Sequence, residues 1–223
     1  QCIGREYYDP YPEWIRILWA LKSIDPMLYP FFLKWSSQSD KFNWDDTNNI
    51  ENIMELWDKA ENKGLTEGTI RFISRKSNPE NYINIRNKST DYLIGKTLEG
   101  GGTDFDIALL IKHLMFDRYR CTSIKSNYWK EFKNHRWHDS ECGTGLRQKF
   151  SDRISPLYLR KQQEVMGRIR DDDNMSTETQ NTLTTEAAIY NKISLRLRDS
   201  SKKNNLMTES KQLHYDPLLE SKL

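Results

Sequence analysis

The chain has 223 residues, of which 36% are hydrophobic and 30% charged, with a net charge of +2. That length admits one large or two small domains, and seven Trp among 12% aromatics exclude a disordered chain, which would lack the large side chains a core needs. No apolar run approaches the ~20 residues that span a bilayer, which argues against a membrane protein.

The first periodic segment runs from Pro12 to Ile24, where Trp14, Ile17, Leu18 and Leu21 recur at helical spacing behind a first-turn proline. Pro26 and Pro30 interrupt it. A second apolar run, Phe31 to Trp35, leads to a polar turn at 36–40 and to Phe42 and Trp44. A third helix is expected over 50–59, stopped by Gly64. Thr66 then has the position of an N-cap for a fourth helix carrying Ile70, Phe72 and Ile73, which Asn78-Pro79 ends. Residues 1–78 therefore read as a bundle of short helices, with Trp and Phe in the core rather than on a ligand platform. Residues 79–102, polar and closed by Glu99-Gly100-Gly101-Gly102, read as an irregular linker.

A second domain is expected over 103–223. Thr103-x-x-Asp106 has capping-box spacing ahead of a stripe of Ile107, Leu110, Ile111 and Leu114. From Tyr119 to Asp139 the pattern changes to β-prone alternation with a turn at Asn134-His135, which predicts a small antiparallel meander. Thr144 is placed to cap a helix with Leu146, Phe150 and Ile154 on one face, and Ser155-Pro156 restarts one carrying Leu159, Val165, Met166 and Ile169. Asp171 to Asn174 punctuates the chain. A further helix is expected over 186–197, a loop over 200–205, and a last short helical stretch ending near Leu219. The fold class is mainly α with a small antiparallel β meander (α+β), a helical bundle followed by a helix–meander–helix domain.

The chemical motifs are mostly negative. Gly95-Lys96-Thr97 lacks the preceding glycine of a phosphate loop, since Thr90 stands there. His135, His138 and Cys142 have metal-compatible spacing but lack a CxxC partner, so no metal is expected. Asp45-Asp46 and Asp171-Asp173 fall in predicted turns or helix ends, away from the adjacent strands a two-metal site needs. The three cysteines, odd in number and widely spaced, imply no disulfide framework and suit a reducing compartment. Gln1 and the closing Lys222-Leu223 read as cuts from a longer polypeptide.

Charge is unevenly spread. Residues 112–170 hold 14 Lys and Arg against 6 Asp and Glu, a net +8 that leaves −6 elsewhere. Within it Lys125, Lys130, Lys133, Arg136, Arg147, Lys149 and Arg153 interleave with Tyr128, Trp129, Phe132 and Trp137. Cations neutralise phosphates and aromatic faces stack bases. The same pattern also suits a small core with a solvated charged face.

Several segments carry a resemblance. Tyr11-Pro-Glu-Trp-Ile-Arg-Ile-Leu-Trp-Ala-Leu-Lys-Ser-Ile, Phe32-Leu-Lys-Trp-Ser, Ser39-Asp-Lys-Phe, Leu56-Trp-Asp-Lys and Leu65-Thr-Glu-Gly-Thr-Ile resemble the type 2 primase C-terminal domain, with Ile70 where that family has Leu. Asp106-Ile-Ala-Leu-Leu-Ile, Tyr119-Arg-Cys, Trp129-Lys-Glu-Phe, His135-Arg-Trp and Leu146-Arg-Gln-Lys-Phe-Ser resemble the region preceding the superfamily 3 helicase of poxvirus-type primase-helicases. The two matches cover about residues 11–170.

The resemblance implies a non-catalytic middle segment of a viral replicative protein. It needs no cofactor itself, while ATP and Mg2+ serve the primase and helicase domains of the same polypeptide. Implied partners are single-stranded or forked DNA and other copies, hexameric in the parent, in a collar above the motor; the implied place is the host cytoplasm. The seven cations above are the candidate DNA contacts, with Trp129 and Trp137 assigned to the core. Rival readings are a scaffold for replication factors without DNA contact, and a winged-helix duplex binder using the helix at Leu146.

Overall fold

The computed structural model describes residues 2–61 and 64–219; both chain ends, Gln1 and Lys222-Leu223, lie outside them. Contacts divide the chain into two compact units, 1–87 and 88–223.

In the first unit α1 (Arg5–Tyr8), α2 (Tyr11–Ile24), α3 (Tyr29–Ser36), α4 (Thr47–Asp58) and α5 (Glu67–Ser77) form the expected bundle of short helices. Pro12 sits in the first turn of α2, where its missing N–H has no partner to lose. Asp46 caps α4 by accepting from the Asn49 amide at 3.1 Å, so one of the two paired aspartates holds a helix start. Thr66 caps α5, and its own amide donates to Thr69 Oγ1 at 3.2 Å. The core is aromatic. Fully buried Phe32 lies 5.1 Å from Trp14, 5.9 Å from Trp35 and 5.7 Å from Trp57 between ring centres. The Trp14 indole donates to Ser36 Oγ at 2.8 Å, so its polar edge is satisfied too.

The irregular linker expected over 79–102 is not there. Pro79–Glu99 is one helix, α6, and the division between the units falls within it. Asn78 ends α5 and also starts α6, its Oδ1 accepting from the Asn81 amide at 3.0 Å. The glycines terminate this helix rather than link domains. Gly101 and Gly102 take φ of +67° and +76°, and the Gly102 amide returns to the Thr97 carbonyl at 2.7 Å.

In the second unit α7 (Asp104–Met115) begins at Thr103, whose Oγ1 accepts from the Asp106 amide at 3.2 Å. The meander follows as β1 (Tyr119–Ser123), β2 (Tyr128–Lys133) and β3 (Arg136–Ser140), antiparallel in the order β1-β2-β3 among the described residues. Asn134 and His135 both take positive φ, 50° and 61°, which matches the type I′ turn whose twist suits a hairpin. Next come α8 (Thr144–Lys149), a π-helical segment (Phe150–Ile154), α9 (Ser155–Asp171) and α10 (Thr177–Arg196). The cap of α8 is Gly143 rather than Thr144, in a left-handed conformation with φ +68°.

Two more expectations are corrected. α10 starts at Thr177 rather than near 186, and the loop expected over 200–205 is the first half of α11 (Ser200–Leu213). Asp199 caps α11, accepting from the Lys202 amide at 2.8 Å. The chain then returns to the sheet, where the Cys121 amide donates to the His214 carbonyl and the Asp216 amide to the Cys121 carbonyl, both at 2.9 Å. Tyr119, Cys121, Trp129, Leu146, Phe150 and Leu206 share one buried core. The molecule is mainly α with a small antiparallel meander.

Candidate nucleic-acid interface

Strand alternation sorts the basic-aromatic stretch into two faces. On the inward face of β2 stand Trp129, 1% exposed, and Glu131. Glu131 Oε1 accepts from the Tyr119 hydroxyl and from Arg118 Nε, each at 2.9 Å. Burial pushes the Glu131 carboxyl up, but these two hydrogen bonds outweigh it and hold the group below the usual range. The Tyr119 hydroxyl is pushed up to about 12, chiefly by burial and then by its bond to Glu131. On this face Glu131 is held by Tyr119 and Arg118 beside the buried Trp129.

The outward face carries Tyr128, Lys130 and Phe132 of β2, beside Trp137 and Asp139 of β3. Phe132 and Trp137 are register partners with ring centres 5.2 Å apart at 58°. Tyr128 is 65% and Phe132 39% exposed, and Trp137 is half-buried. The expectation of two core tryptophans is therefore half right. Trp129 is core, whereas Trp137 leans on Phe132 at the surface, with the Arg120 guanidinium 5.9 Å from its ring centre.

The seven predicted cations do not form one patch. Lys130 lies on the outward face and pairs with Asp139 at 2.8 Å. Lys133 and Arg136 face each other across the Asn134-His135 turn, and neither makes an ion pair among the described residues. Like charges directly opposite on a ladder repel. Lys125 sits in the β1–β2 turn, at the other end of a strand about 20 Å long. Arg147 is committed to packing. It donates to the Ser200 carbonyl at 2.8 Å, to Ser200 Oγ at 3.0 Å and to Asn204 Oδ1, fastening α8 to the start of α11. Half-buried Lys149 ends α8, and exposed Arg153 is in the π-helical segment.

A winged-helix reading needs a helix free to enter a groove. Here α8 is six residues long with Leu146 fully buried, and a Cβ on Gly145 would meet Glu131 and Tyr119 within 3.3 Å. The candidate metal residues also separate, with His135 in the turn, His138 on β3 opposite Glu131 and Cys142 beyond the strand. Gly95-Lys96-Thr97 lies inside α6.

Sequence reasoning missed a cleft in the first unit, of about 320 Å³. Tyr8, Tyr11, Trp14 and Phe42 wall it. Asp9 in that wall accepts from Ser39 Oγ at 2.7 Å and from Arg5 Nε at 2.5 Å, and these bonds hold its carboxyl below the usual range. The signal available was the Ser39-Asp40-Lys41-Phe42 segment, which brings Ser39, Lys41 and Phe42 to the opening.

Residues 1–74, the larger part of the first unit, match the family Primase C terminal 2 (PriCT-2). Two viral proteins, each named "Putative helicase", match the chain at greater length. One, from Acanthamoeba polyphaga mimivirus, is 25% identical over 208 residues, 93% of this chain and 21% of its own length. The other, from Frog virus 3 (isolate Goorha), is 24% identical over 240 residues, 94% of this chain and 24% of its own. The chain resembles a region of a large-DNA-virus primase-helicase. It spans about a fifth to a quarter of the curated relatives it matches. The PriCT-2 match and the two helicase-named relatives together support a primase-helicase role in replication.

Proposed function

We propose that this chain is a non-catalytic region of a viral primase-helicase and that its second unit contacts DNA through the β2–β3 hairpin. The observation that carries this is the Lys133–Arg136 pair, two cations set against each other across a tight turn with no ion pair to a described carboxylate. The two cations repel each other in the folded hairpin, offset in part by the attraction of Lys133 to Glu131 two residues back on its strand. A phosphate between the two side chains would turn the repulsion into two attractions and release counterions. The longer protein would supply primase and ATP- and Mg2+-dependent helicase domains and assemble as a hexamer on single-stranded or forked DNA.

Binding of the whole chain to labelled single-stranded, forked and duplex DNA over a salt series tests the reading. Each lost phosphate contact lowers the slope of log affinity against log salt by about one. The Lys133→Ala/Arg136→Ala double variant should therefore lower it by about two, while Arg147→Ala lowers stability instead. Unchanged affinity and slope in the double variant would remove the hairpin from the interface.

A scaffold reading has an observation of its own in the first unit. Met27 and Phe31 stand 78% and 69% exposed, four residues apart around the start of α3. An apolar protein contact there would persist at salt concentrations that dissolve DNA binding.

A further inference from the structure

The outward face of the meander has a composition that phosphate contact does not explain. We infer that this face is a stacking platform for unpaired bases, so that the second unit takes single-stranded nucleic acid in preference to duplex. The inference rests on the proposed DNA contact through the β2–β3 hairpin. Phe132, the last residue but one of β2, pairs with Trp137 at 5.2 Å yet stays 39% exposed, and Tyr128 on the same face is 65% exposed. The single carboxylate facing this side of the β2–β3 ladder, Asp139, is occupied by Lys130 at 2.8 Å, so little negative charge opposes an approaching strand. Lys133 and Arg136, one residue beyond the aromatic pair, alternate to the other face of the sheet, but they flank the turn, where their long exposed side chains border the tip of the platform. A strand laid along the face and carried over the turn sets bases on the rings and brings phosphates to the two cations only at the tip.

Geometry separates single strands from duplex. The π-faces of paired bases are sealed by their stacked neighbours, whereas any unpaired base offers one. A two-stranded ribbon fits the ~12 Å major groove. Three strands spaced about 4.8 Å apart, with side chains at the margins, do not. From Tyr128 to Phe132 the strand rises roughly 13 Å, room for about two or three bases, as on other open sheets that carry RNA.

The test removes stacking while keeping apolar area and charge. The full chain, wild type and Phe132→Leu, is titrated by fluorescence anisotropy with three probes. These are a short oligothymidylate, an abasic oligomer of equal length with the same phosphates, and a hairpin duplex. Thermal melting checks that the variant folds, and Phe132→Tyr serves as the conservative control. Wild type should bind oligothymidylate about tenfold or more tighter than the abasic strand, the order expected for base–aromatic stacking. Phe132→Leu should erase that gap, leave duplex binding within about twofold, and be rescued by Phe132→Tyr. Equal affinity of wild type for oligothymidylate and abasic strand would overturn the platform. If Lys133→Ala still weakened both, the phosphate reading would stand without it. Absence of binding to all three probes at low salt would overturn both, and self-association of the chain lost in Phe132→Leu would then mark the face as a contact between copies.

Discussion

The first unit and the meander are both rich in aromatic side chains, but they use them in opposite senses. In the bundle, Phe32 is ringed by Trp14, Trp35 and Trp57, and the chain folds around it. In the meander, alternation divides neighbours only one residue apart, with Trp129 in the core and Tyr128 and Phe132 outside. Aromatic content alone does not separate a core from a platform; the period of the element and the side on which helices pack do.

The largest expected effect tests the buried half of this contrast. Phe32→Ala should cost about 3–5 kcal/mol in denaturant unfolding, because a fully packed ring leaves a cavity. Phe132→Ala should cost less than about 1 kcal/mol, since it forfeits one cross-strand pair. Equal costs would break the distinction between core and platform.

Next in size is a pH effect on the inward face. His214 is buried against Trp129, ring centres 5.8 Å apart, with Nδ1 2.9 Å from the Ser210 carbonyl oxygen. Burial first, then the charges of Arg120 and Lys112, lower its pKa from 6.5 to about 4. The unfolded chain then binds the extra proton between those values. Stability is full above about pH 6.5 and falls toward pH 4, by up to about 3 kcal/mol. Urea midpoints across that range should show the slope, and His214→Gln should flatten it. A wild-type slope unchanged by the substitution would assign it to the carboxylates instead.

The smallest effect concerns the turn. Arg136→Glu replaces a repelling cross-strand pair by an attracting one, so folding should gain about 0.2–1 kcal/mol while DNA affinity falls. Loss of stability on that change would mean the two cations are not in repulsive contact.

Much of this was legible in the residues, for identifiable reasons. The Trp14 to Leu21 stripe, the Thr66 cap, the meander and the Asn134-His135 turn each combine local chemistry with a periodic apolar pattern. The helices over 79–99, 177–185 and 200–205 lacked that pattern. α6 is mostly polar, and the early turns of α10 hold Thr182, Thr184 and Thr185, whose hydroxyls hydrogen-bond back to carbonyls four residues earlier. α11 opens on Ser, Lys and Asn, and burial of Leu206 and Met207 against its neighbours decides its conformation rather than propensity. The candidate site was half legible. The residue types were visible, but which side of the sheet each took depended on register, and the bonds of Arg147 to Ser200 and Asn204 join residues more than fifty positions apart that no local pattern links.

The return of the chain at His214 to Asp216 onto Cys121 has a consequence for synthesis. The first unit closes early, since the Gly4 amide meets Ser77 Oγ at 2.9 Å and every partner it needs has been translated by then. The edge of β1 waits for a segment some ninety residues downstream. On the ribosome the PriCT-2-like unit can fold as it emerges, while the meander keeps an open β1 edge until residue 216 has cleared the exit tunnel. Truncation before that point should leave the first unit intact and the second prone to pair with strangers.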